Sequence, residues 1–208
     1  MLSLLLAGVL GYLLGSLPTA FLIVQWKSKI DIRKAGSGNV GTLNSYKVTN
    51  SKMVGVVVLL IDLLKGAAAV LIARVVVNDE FLTRAISGVF VVLGHNFPVW
   101  LGFKGGRGLA PAAGVMLALG WVFVVVWVAL WGGGFLLAKK VNVGNTVASV
   151  MTLLVILIAP ALVLQSYIPA DATAEHFRYF SIVLFGIILA KHVEPMKEYI
   201  MEKRNKAS

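Results

Sequence analysis

The sequence contains no cysteine and few charged residues, and both absences restrict what the protein can be. Without cysteine it can form no disulfide and can use no thiolate as a nucleophile or metal ligand. Only 13% of its 208 residues are charged, whereas a soluble domain carries about 25%. Hydrophobic residues make up 59% of the chain. This composition predicts an integral membrane protein.

Sequence signatures of several enzyme classes are also missing. No cluster of histidines and cysteines suits a zinc ion, so we predict no metal site. There is no G-x-S-x-G nucleophile elbow. No histidine is followed by an aspartate with four residues between them, the pattern of the common glycerolipid acyltransferases. The residues that stand where the aspartate would be, after His95, His176 and His192, are Trp100, Ser181 and Lys197.

The 19 basic residues outnumber the 9 acidic ones, which gives a net charge of +10. In a soluble protein this excess would suggest binding to nucleic acid. Here the basic residues lie between long hydrophobic runs, where they orient a membrane protein against an anionic leaflet. We therefore predict the lipid bilayer, and no nucleic acid, as a partner.

Six hydrophobic runs are candidates for membrane-spanning helices, each of which needs about 20 apolar residues. They are Leu2–Trp26, Met53–Val77, Leu82–Phe103, Leu109–Ala138, Thr146–Leu164 and Phe177–Val193. No basic residue precedes the first run, so we expect it to remain as a spanning helix rather than to act as a signal peptide.

The basic residues between these runs predict the topology. Lys104 and Arg107 precede the long fourth run, and Lys139 and Lys140 follow it, so both pairs should face the cytoplasm. The fourth run must then cross twice, as two short helices turning near Gly120-Trp121. The prediction is an all-α fold of seven transmembrane helices over residues 1–208, one domain, with the N-terminus outside and the C-terminus cytoplasmic. Of the 19 basic residues, 15 then lie in cytoplasmic segments.

The first cytoplasmic loop contains Gly36-Ser37-Gly38-Asn39-Val40-Gly41 and then Asn44. It matches the letters of the dinucleotide fingerprint G-x-G-x-x-G, but no strand precedes it, so we reject that interpretation. Closely spaced glycines can still direct backbone N–H groups at an anion, and the three polar side chains would add donors. The alternative is a tight interfacial turn.

The second loop, Gly102–Gly108, places four glycines around Lys104 and Arg107. Flexible backbone beside two cations suits a phosphate group, although a turn in a positively charged loop would look similar. His95 lies nine residues before Lys104. It could serve as a general base, a phosphate donor or a packed polar residue.

Polar residues elsewhere could support this site. Asp62 and Lys65 lie within the second run, three residues apart, so they share a helix face and can pair. Each would cost about 2.5–3.5 kcal/mol at the bilayer centre, so we expect both to face the helix bundle. We expect a third basic loop, Lys139–Thr146, to bring Asn142 to the same membrane face, and His192 to lie there as well.

Taken together, the motifs resemble the bacterial PlsY family of acyl-phosphate:glycerol-3-phosphate acyltransferases. The residues that carry the resemblance are Gly15-Ser16-Leu17-Pro18, Gly36–Gly41 with Asn44, Asp62-Leu63-Leu64-Lys65-Gly66, Gly94-His95-Asn96-Phe97-Pro98-Val99 and Gly102–Gly108. The resemblance implies a seven-helix enzyme of phospholipid synthesis. Such an enzyme moves a fatty acyl group from acyl phosphate to the 1-hydroxyl of glycerol 3-phosphate, which gives lysophosphatidic acid. It also implies that no cofactor is needed and that the active site lies at the cytoplasmic face of the bacterial inner membrane.

From the motifs and the resemblance we predict three sets of site residues. The catalytic set is His95, with Ser37 and Asn39. Either His95 or a phosphate oxygen of a substrate accepts the hydroxyl proton. The substrate-binding set is Gly36, Gly38, Gly41, Asn44, Lys47, Lys104, Gly105, Gly106, Arg107, Asn142 and His192. Asp62 and Lys65 support the site.

The sequence departs from the family pattern at several positions. Lys47 stands where an arginine is usual, and Asn142 and Asn145 replace two serines. Pro195 replaces an asparagine after His192. One alternative is therefore an altered paralogue that binds a phospho-lipid. Another is a small transporter, suggested by the charged pair within a span.

Overall fold

A computed structural model of the protein describes residues 1–207, and this part of the chain is helical with no β-strand. Ser208, the last residue of the predicted single domain, lies outside the described residues. The α-helices are α1 Leu2–Ser16, α2 Thr19–Ser28, α3 Thr42–Thr49, α4 Lys52–Val76, α5 Phe81–Asn96, α6 Leu109–Gly120, α7 Val122–Ala138, α8 Val141–Ile158, α9 Ala161–Gln165, α10 Ala174–Ala190 and α11 Val193–Ala207. Single 3-10 turns form at Ile32–Lys34 and Val99–Leu101.

Within residues 1–207, three helical segments are long and apolar enough to cross a membrane: Leu2–Ser28, α4 and α8. A fourth exists if α10 and α11, which are bent by 49°, act as one span. Helices α6 and α7 are apolar but shorter. The predicted break in the fourth hydrophobic run is confirmed, because α6 ends at Gly120 and α7 begins at Val122.

The first span is broken between α1 and α2, at Leu17-Pro18. Proline has no N–H to donate, and its ring clashes with the carbonyl one turn earlier, so it interrupts a helix. The carbonyl of Leu17 accepts a hydrogen bond from the N–H of Thr19 at 3.0 Å. The break leaves the Leu17 carbonyl accessible to a donor from outside the first span.

The chain divides into two compact units, residues 1–119 and residues 120 onward. In the first unit, glycines let helix backbones touch directly. A Cβ atom added to Gly11 would overlap the carbonyl of Ser87, and one added to Gly15 would overlap the carbonyl of Val91. The spacing Gly11-x-x-x-Gly15 therefore serves the close packing of α1 on α5, as small residues do between membrane helices.

An apolar cluster lies beneath the two glycine-rich loops of the first unit. Val40 comes from the first loop and Leu101 from the segment that leads into the second. The other buried members are Ala20, Val24, Ile32, Val54 and Val58. Both loops therefore rest on one shared core, which holds them side by side.

In the second unit, the prediction of a third loop over Lys139–Thr146 is wrong. Helix α7 ends at Ala138 and is followed by Lys139, whose φ of 53° is left-handed. Helix α8 begins two residues after Lys139, at Val141. Asn142 consequently lies in the first turn of a helix, where its carbonyl accepts a hydrogen bond from the Thr146 hydroxyl at 3.0 Å. Lys139 and Lys140 form the whole connection, which is enough because a left-handed residue reverses the chain sharply.

Candidate active site

Asn44 organises the first glycine loop. Its Oδ1 accepts a hydrogen bond from the N–H of Ser37 at 3.0 Å. Its Nδ2 donates to the carbonyls of Ala35 at 3.0 Å and Ile32 at 3.3 Å. The residue is 2% exposed. Gly36 is required beside it, because φ there is +59° and an added Cβ would overlap Asn44 Oδ1.

Three backbone N–H groups of this loop bond within the protein. Gly38 donates to the carbonyl of Ala35 and Gly41 to that of Asn39, both at 3.1 Å. Ser37 donates to Asn44, as described. These three N–H groups are therefore engaged, and the convergence of loop N–H groups on an anion stays a prediction. A tight loop satisfies its own backbone, because an unpaired buried N–H is costly.

The second loop closes the end of α5. The N–H of Gly106 donates to the carbonyl of His95 at 3.0 Å, and that of Gly105 to the carbonyl of Asn96 at 3.3 Å. The last carbonyls of a helix lack partners within the helix, and here the loop supplies them. Gly105 and Gly106 thus hold the loop with their N–H groups instead of directing them at a phosphate.

Cationic side chains flank both loops. Lys104 in the second loop and Lys47 in the last turn of α3 are exposed, and Arg107 is partly buried. Ser37 is exposed and Asn39 partly so. The N–H groups of Gly38, Gly41, Gly105 and Gly106 bond within the protein, which makes these side chains candidate contacts for an anion.

A buried cluster of charge lies beneath the loops. Lys65 Nζ is 2.8 Å from Asp62 Oδ1, which confirms the predicted pair. Lys65 also donates to the carbonyl of Leu17 at 3.1 Å, at the break in the first span. His95 Nδ1 lies 3.7 Å from the same Asp62 oxygen. The three side chains are 2 to 8% exposed.

A cavity of about 10 Å³ borders this cluster, enough for about one water molecule. Asp62, Lys65 and His95 line it, together with Val40 from the first loop and Gly105 from the second. The structure therefore brings both glycine loops and the buried charges to one place within the first unit.

Asn96 belongs to this region but was not among the predicted site residues. It is fully buried, and within the described part of the chain neither its Oδ1 nor its Nδ2 has a hydrogen-bond partner. A Cβ added to Gly108 would stand 2.8 Å from the Oδ1. Its place directly after His95, in the motif Gly94–Val99, is the signal that could have identified it.

Asn142 and His192 lie in the second unit. His192 follows α10, is 1% exposed, and has its Nδ1 2.8 Å from the carbonyl of Ile188. Lys140 is paired with Glu202 at 2.9 Å. A substrate-binding role for Asn142 and His192 stays a prediction.

A further ion pair, also outside the spans, lies just before the first loop. Arg33 Nη2 is 2.8 Å from Asp31 Oδ2. The hydrogen bond from Arg33 lowers the pKa of the Asp31 carboxyl from 3.8 to about 2. Asp31 also accepts a hydrogen bond from the Arg33 backbone N–H at 3.0 Å, so the pair shapes the turn that leads into Gly36.

Comparison with known proteins identifies the family. A family model described as glycerol-3-phosphate acyltransferase matches residues 5–202. The chain belongs to the glycerol-3-phosphate acyltransferase family. A glycerol-3-phosphate acyltransferase of Thermotoga petrophila is 40% identical over 140 residues, 67% of this chain and 70% of the relative. One from Ehrlichia chaffeensis is 32% identical over 198 residues, 95% of this chain and 93% of the relative.

Solved structures of this acyltransferase family have the same fold. The chain is similar to crystal structures of PlsY (YgiH), an integral membrane glycerol 3-phosphate acyltransferase. In the glycerol 3-phosphate form the TM-score is 0.80 and the identity 30%, covering 96% of this chain and 93% of that one. In the lysophosphatidic acid form the TM-score is 0.79. The predicted family, the enzyme class and the all-helical integral membrane fold are confirmed.

Proposed function

We propose that this acyltransferase moves a fatty acyl group from acyl phosphate to the 1-hydroxyl of glycerol 3-phosphate and releases lysophosphatidic acid. Acyl transfer to glycerol 3-phosphate in phospholipid synthesis follows from the family, whose model spans both loops and the buried charges. The acyl phosphate donor and the 1-hydroxyl are the finer parts of the proposal. Both finer parts are supported by the cations Lys47, Lys104 and Arg107, which suit two substrates that each carry a phosphate.

Lys104, Arg107 and Lys47 are proposed to hold phosphate. The N–H groups of Gly38, Gly41, Gly105 and Gly106 are engaged within the protein, which favours side chains as contacts to an anion. An arginine can grip a phosphate with two parallel hydrogen bonds, whereas a lysine acts as a point charge. The loop glycines, Gly36, Gly38, Gly41, Gly105 and Gly106, then form the walls beside which the phosphates lie.

Acyl phosphate is already an activated donor, so the reaction needs no covalent enzyme intermediate. The glycerol hydroxyl oxygen attacks the acyl carbonyl carbon, and the bond to the phosphate oxygen breaks with its electron pair leaving as phosphate. Holding the reactants in line can contribute about 7–11 kcal/mol. Ser37 and Asn39 are proposed to orient the donor. His95 and a phosphate oxygen of a substrate are the two candidates for accepting the hydroxyl proton.

We propose seven crossings in the bacterial inner membrane, with the N-terminus outside and the loops on the cytoplasmic side. The distribution of basic residues supports this topology. Helix α6 is the shortest of the proposed spans, since 12 residues rise only about 18 Å. The family model crosses from the first unit into the second, which supports one acyltransferase domain.

The absence of cysteine makes the topology easy to test. Ser37→Cys and Asn78→Cys can each be labelled in inside-out and right-side-out vesicles with a membrane-impermeant maleimide. We expect Ser37→Cys to react only in inside-out vesicles and Asn78→Cys only in right-side-out ones. Reaction of both from one side would contradict the proposed topology.

The donor is tested with purified protein in detergent, glycerol 3-phosphate, and either acyl phosphate or acyl-CoA. We expect lysophosphatidic acid and inorganic phosphate from acyl phosphate alone. Product from acyl-CoA alone would refute the donor assignment. If the protein turns over neither acyl phosphate nor acyl-CoA, the result would favour the altered paralogue. The substitutions at Asn142, Asn145 and Pro195 suggest that alternative.

The phosphate role is tested by substitution of Lys104. We expect Lys104→Ala to raise the KM for glycerol 3-phosphate, because the loop loses a cation that faces solvent. Lys52→Ala is the matched control, since Lys52 is an exposed lysine at the start of α4. An unchanged KM in Lys104→Ala, or an equal rise in both variants, would contradict the assignment.

A further inference from the structure

The imidazole of His95 lies between a buried acid and the second loop. Its Nδ1 faces Asp62 Oδ1 at 3.7 Å. On the other edge, a Cβ added to Gly106 would overlap Nε2 and would stand 2.8 Å from Cε1 and 2.9 Å from Cδ2. The ring is 8% exposed. Protein atoms thus flank both ring nitrogens.

The main chain also connects His95 to Gly106. The carbonyl of His95 accepts the N–H of Gly106 at 3.0 Å, so His95 holds one residue of the loop by both its backbone and its ring. Its neighbour Asn96 contacts two residues of the loop: its carbonyl accepts the N–H of Gly105, and its amide packs beside Gly108. The loop that carries Lys104 and Arg107 therefore rests on the last two residues of α5.

The opposite edge of the ring is anchored in α4. Asp62 is held by Lys65 at 2.8 Å, and Lys65 is held by the carbonyl of Leu17 at 3.1 Å. Asp62 and Lys65 are the charged groups of the described chain that line the same cavity as His95. A continuous set of contacts thus runs from the break in the first span through Lys65, Asp62 and His95 to Gly106.

We propose that His95 is a positioning residue, which Asp62 holds in place and whose ring sets the position of Gly106 and of the cations beside it. The inference rests on the proposed function, in which Lys104 and Arg107 bind phosphate. Moving the ring displaces the loop and weakens the contacts of Lys104 and Arg107 with phosphate. Losing contacts that the substrate and the transition state share raises KM and leaves kcat nearly unchanged. Changes at His95 should therefore act mainly through the KM for glycerol 3-phosphate.

The contact between the ring and Gly106 predicts a specific coupling. Gly106→Ala in the wild-type protein should raise the KM for glycerol 3-phosphate roughly 10- to 100-fold, because its Cβ displaces the loop from His95. In a His95→Ala background the ring is gone, so the same substitution should cost less than about threefold. Gly133→Ala is the control, since nothing lies within 4 Å of that position and its kinetics should match the wild type.

Two further variants distinguish positioning from proton transfer. His95→Gln keeps a polar side chain but cannot accept the proton, and Asp62→Asn removes the charge that the ring faces. If His95 is a positioning residue, both variants should have a raised KM. The kcat of His95→Gln should then stay within about tenfold of the wild type. The acidic limb of the pH–rate profile of His95→Gln should also match that of the wild type. A general base predicts a kcat lower by about 10²–10⁴-fold and loss of that limb.

The results separate the two proposals. The proposed function is tested by whether the wild-type protein transfers an acyl group from a donor to glycerol 3-phosphate. The role of His95 is tested by the double-mutant cycle of His95→Ala and Gly106→Ala. The same cycle can be measured as the dissociation constant for radiolabelled glycerol 3-phosphate, so it does not depend on turnover. An equal effect of Gly106→Ala in both backgrounds, or a loss confined to kcat in His95→Gln, would overturn the inference. Thermal unfolding in detergent confirms that each variant is folded.

Discussion

Replacing Lys65 with methionine removes a charge but little volume from the centre of the first unit. Lys65 is 7% exposed and Asp62 is 2% exposed, and their 2.8 Å contact is the closest to either charge. After the substitution, the charge partner that remains for the Asp62 carboxylate within residues 1–207 is His95, at 3.7 Å. The carbonyl of Leu17 loses the Lys65 donor and keeps only the N–H of Thr19.

The expected loss of stability follows from this burial. Removing one partner of a buried ion pair costs about 3–5 kcal/mol, because the remaining charge is uncompensated. For a protein of this length, each kcal/mol lowers the unfolding temperature by about 2–4 °C, so Lys65→Met should unfold about 6–20 °C earlier. The double variant Asp62→Leu/Lys65→Met removes both charges and should recover most of that loss.

Thermal unfolding in detergent, followed by the fluorescence of the five tryptophans, measures the difference. Lys27→Met, at an exposed lysine in α2, is the matched control and should unfold with the wild type. The reasoning is refuted if Lys65→Met unfolds within about 2 °C of the wild type. It is also refuted if the double variant is no more stable than the single one.

Three further predictions concern the loop, the helix packing and the turn before the loop. Asn44→Leu loses three hydrogen bonds, each worth about 0.5–1.5 kcal/mol, so protease should cleave the first loop faster; an unchanged cleavage rate would contradict this. Gly15→Ala should lower the unfolding temperature, because its Cβ overlaps a carbonyl, whereas Gly132→Ala has open space and should not; equal effects would count against close helix packing. Asp31 should titrate with a pKa of about 2, so its pairing with Arg33 contributes fully above about pH 4 and is lost as the pH falls through 2. Carboxyl NMR should show this pKa rising towards 3.8 in an Arg33→Gln variant, and no rise would contradict the assignment.

The long apolar segments could be predicted because their pattern is local. The run Met53–Val77 corresponds to α4, Lys52–Val76, within one residue at each end. The pairing of Asp62 with Lys65 follows from helix geometry alone, since residues three apart share a face. The break after Gly120 followed from counting basic residues on either side of the run.

Other features depend on contacts that a linear sequence does not contain. Gly105 and Gly106 read as anion-binding residues, but their N–H groups serve the carbonyls at the end of α5. The approach of His95 to Asp62 joins two helices 33 positions apart and needs the fold to be known. The start of α8 at Val141 was missed because Lys139-Lys140 and the polar residues after them resemble a loop.

The break at Leu17-Pro18 has a consequence for how the protein is made. A backbone carbonyl at a helix break inside a bilayer takes its donors from the protein, because lipid supplies none. The Leu17 carbonyl has the N–H of Thr19 and the amine of Lys65, and Lys65 lies on a helix that is synthesised 48 residues later. The isolated first span therefore lacks one of these two donors until α4 has entered the membrane. Relatives that lose the lysine should also lose the proline or acquire another donor, so the two positions should change together during evolution.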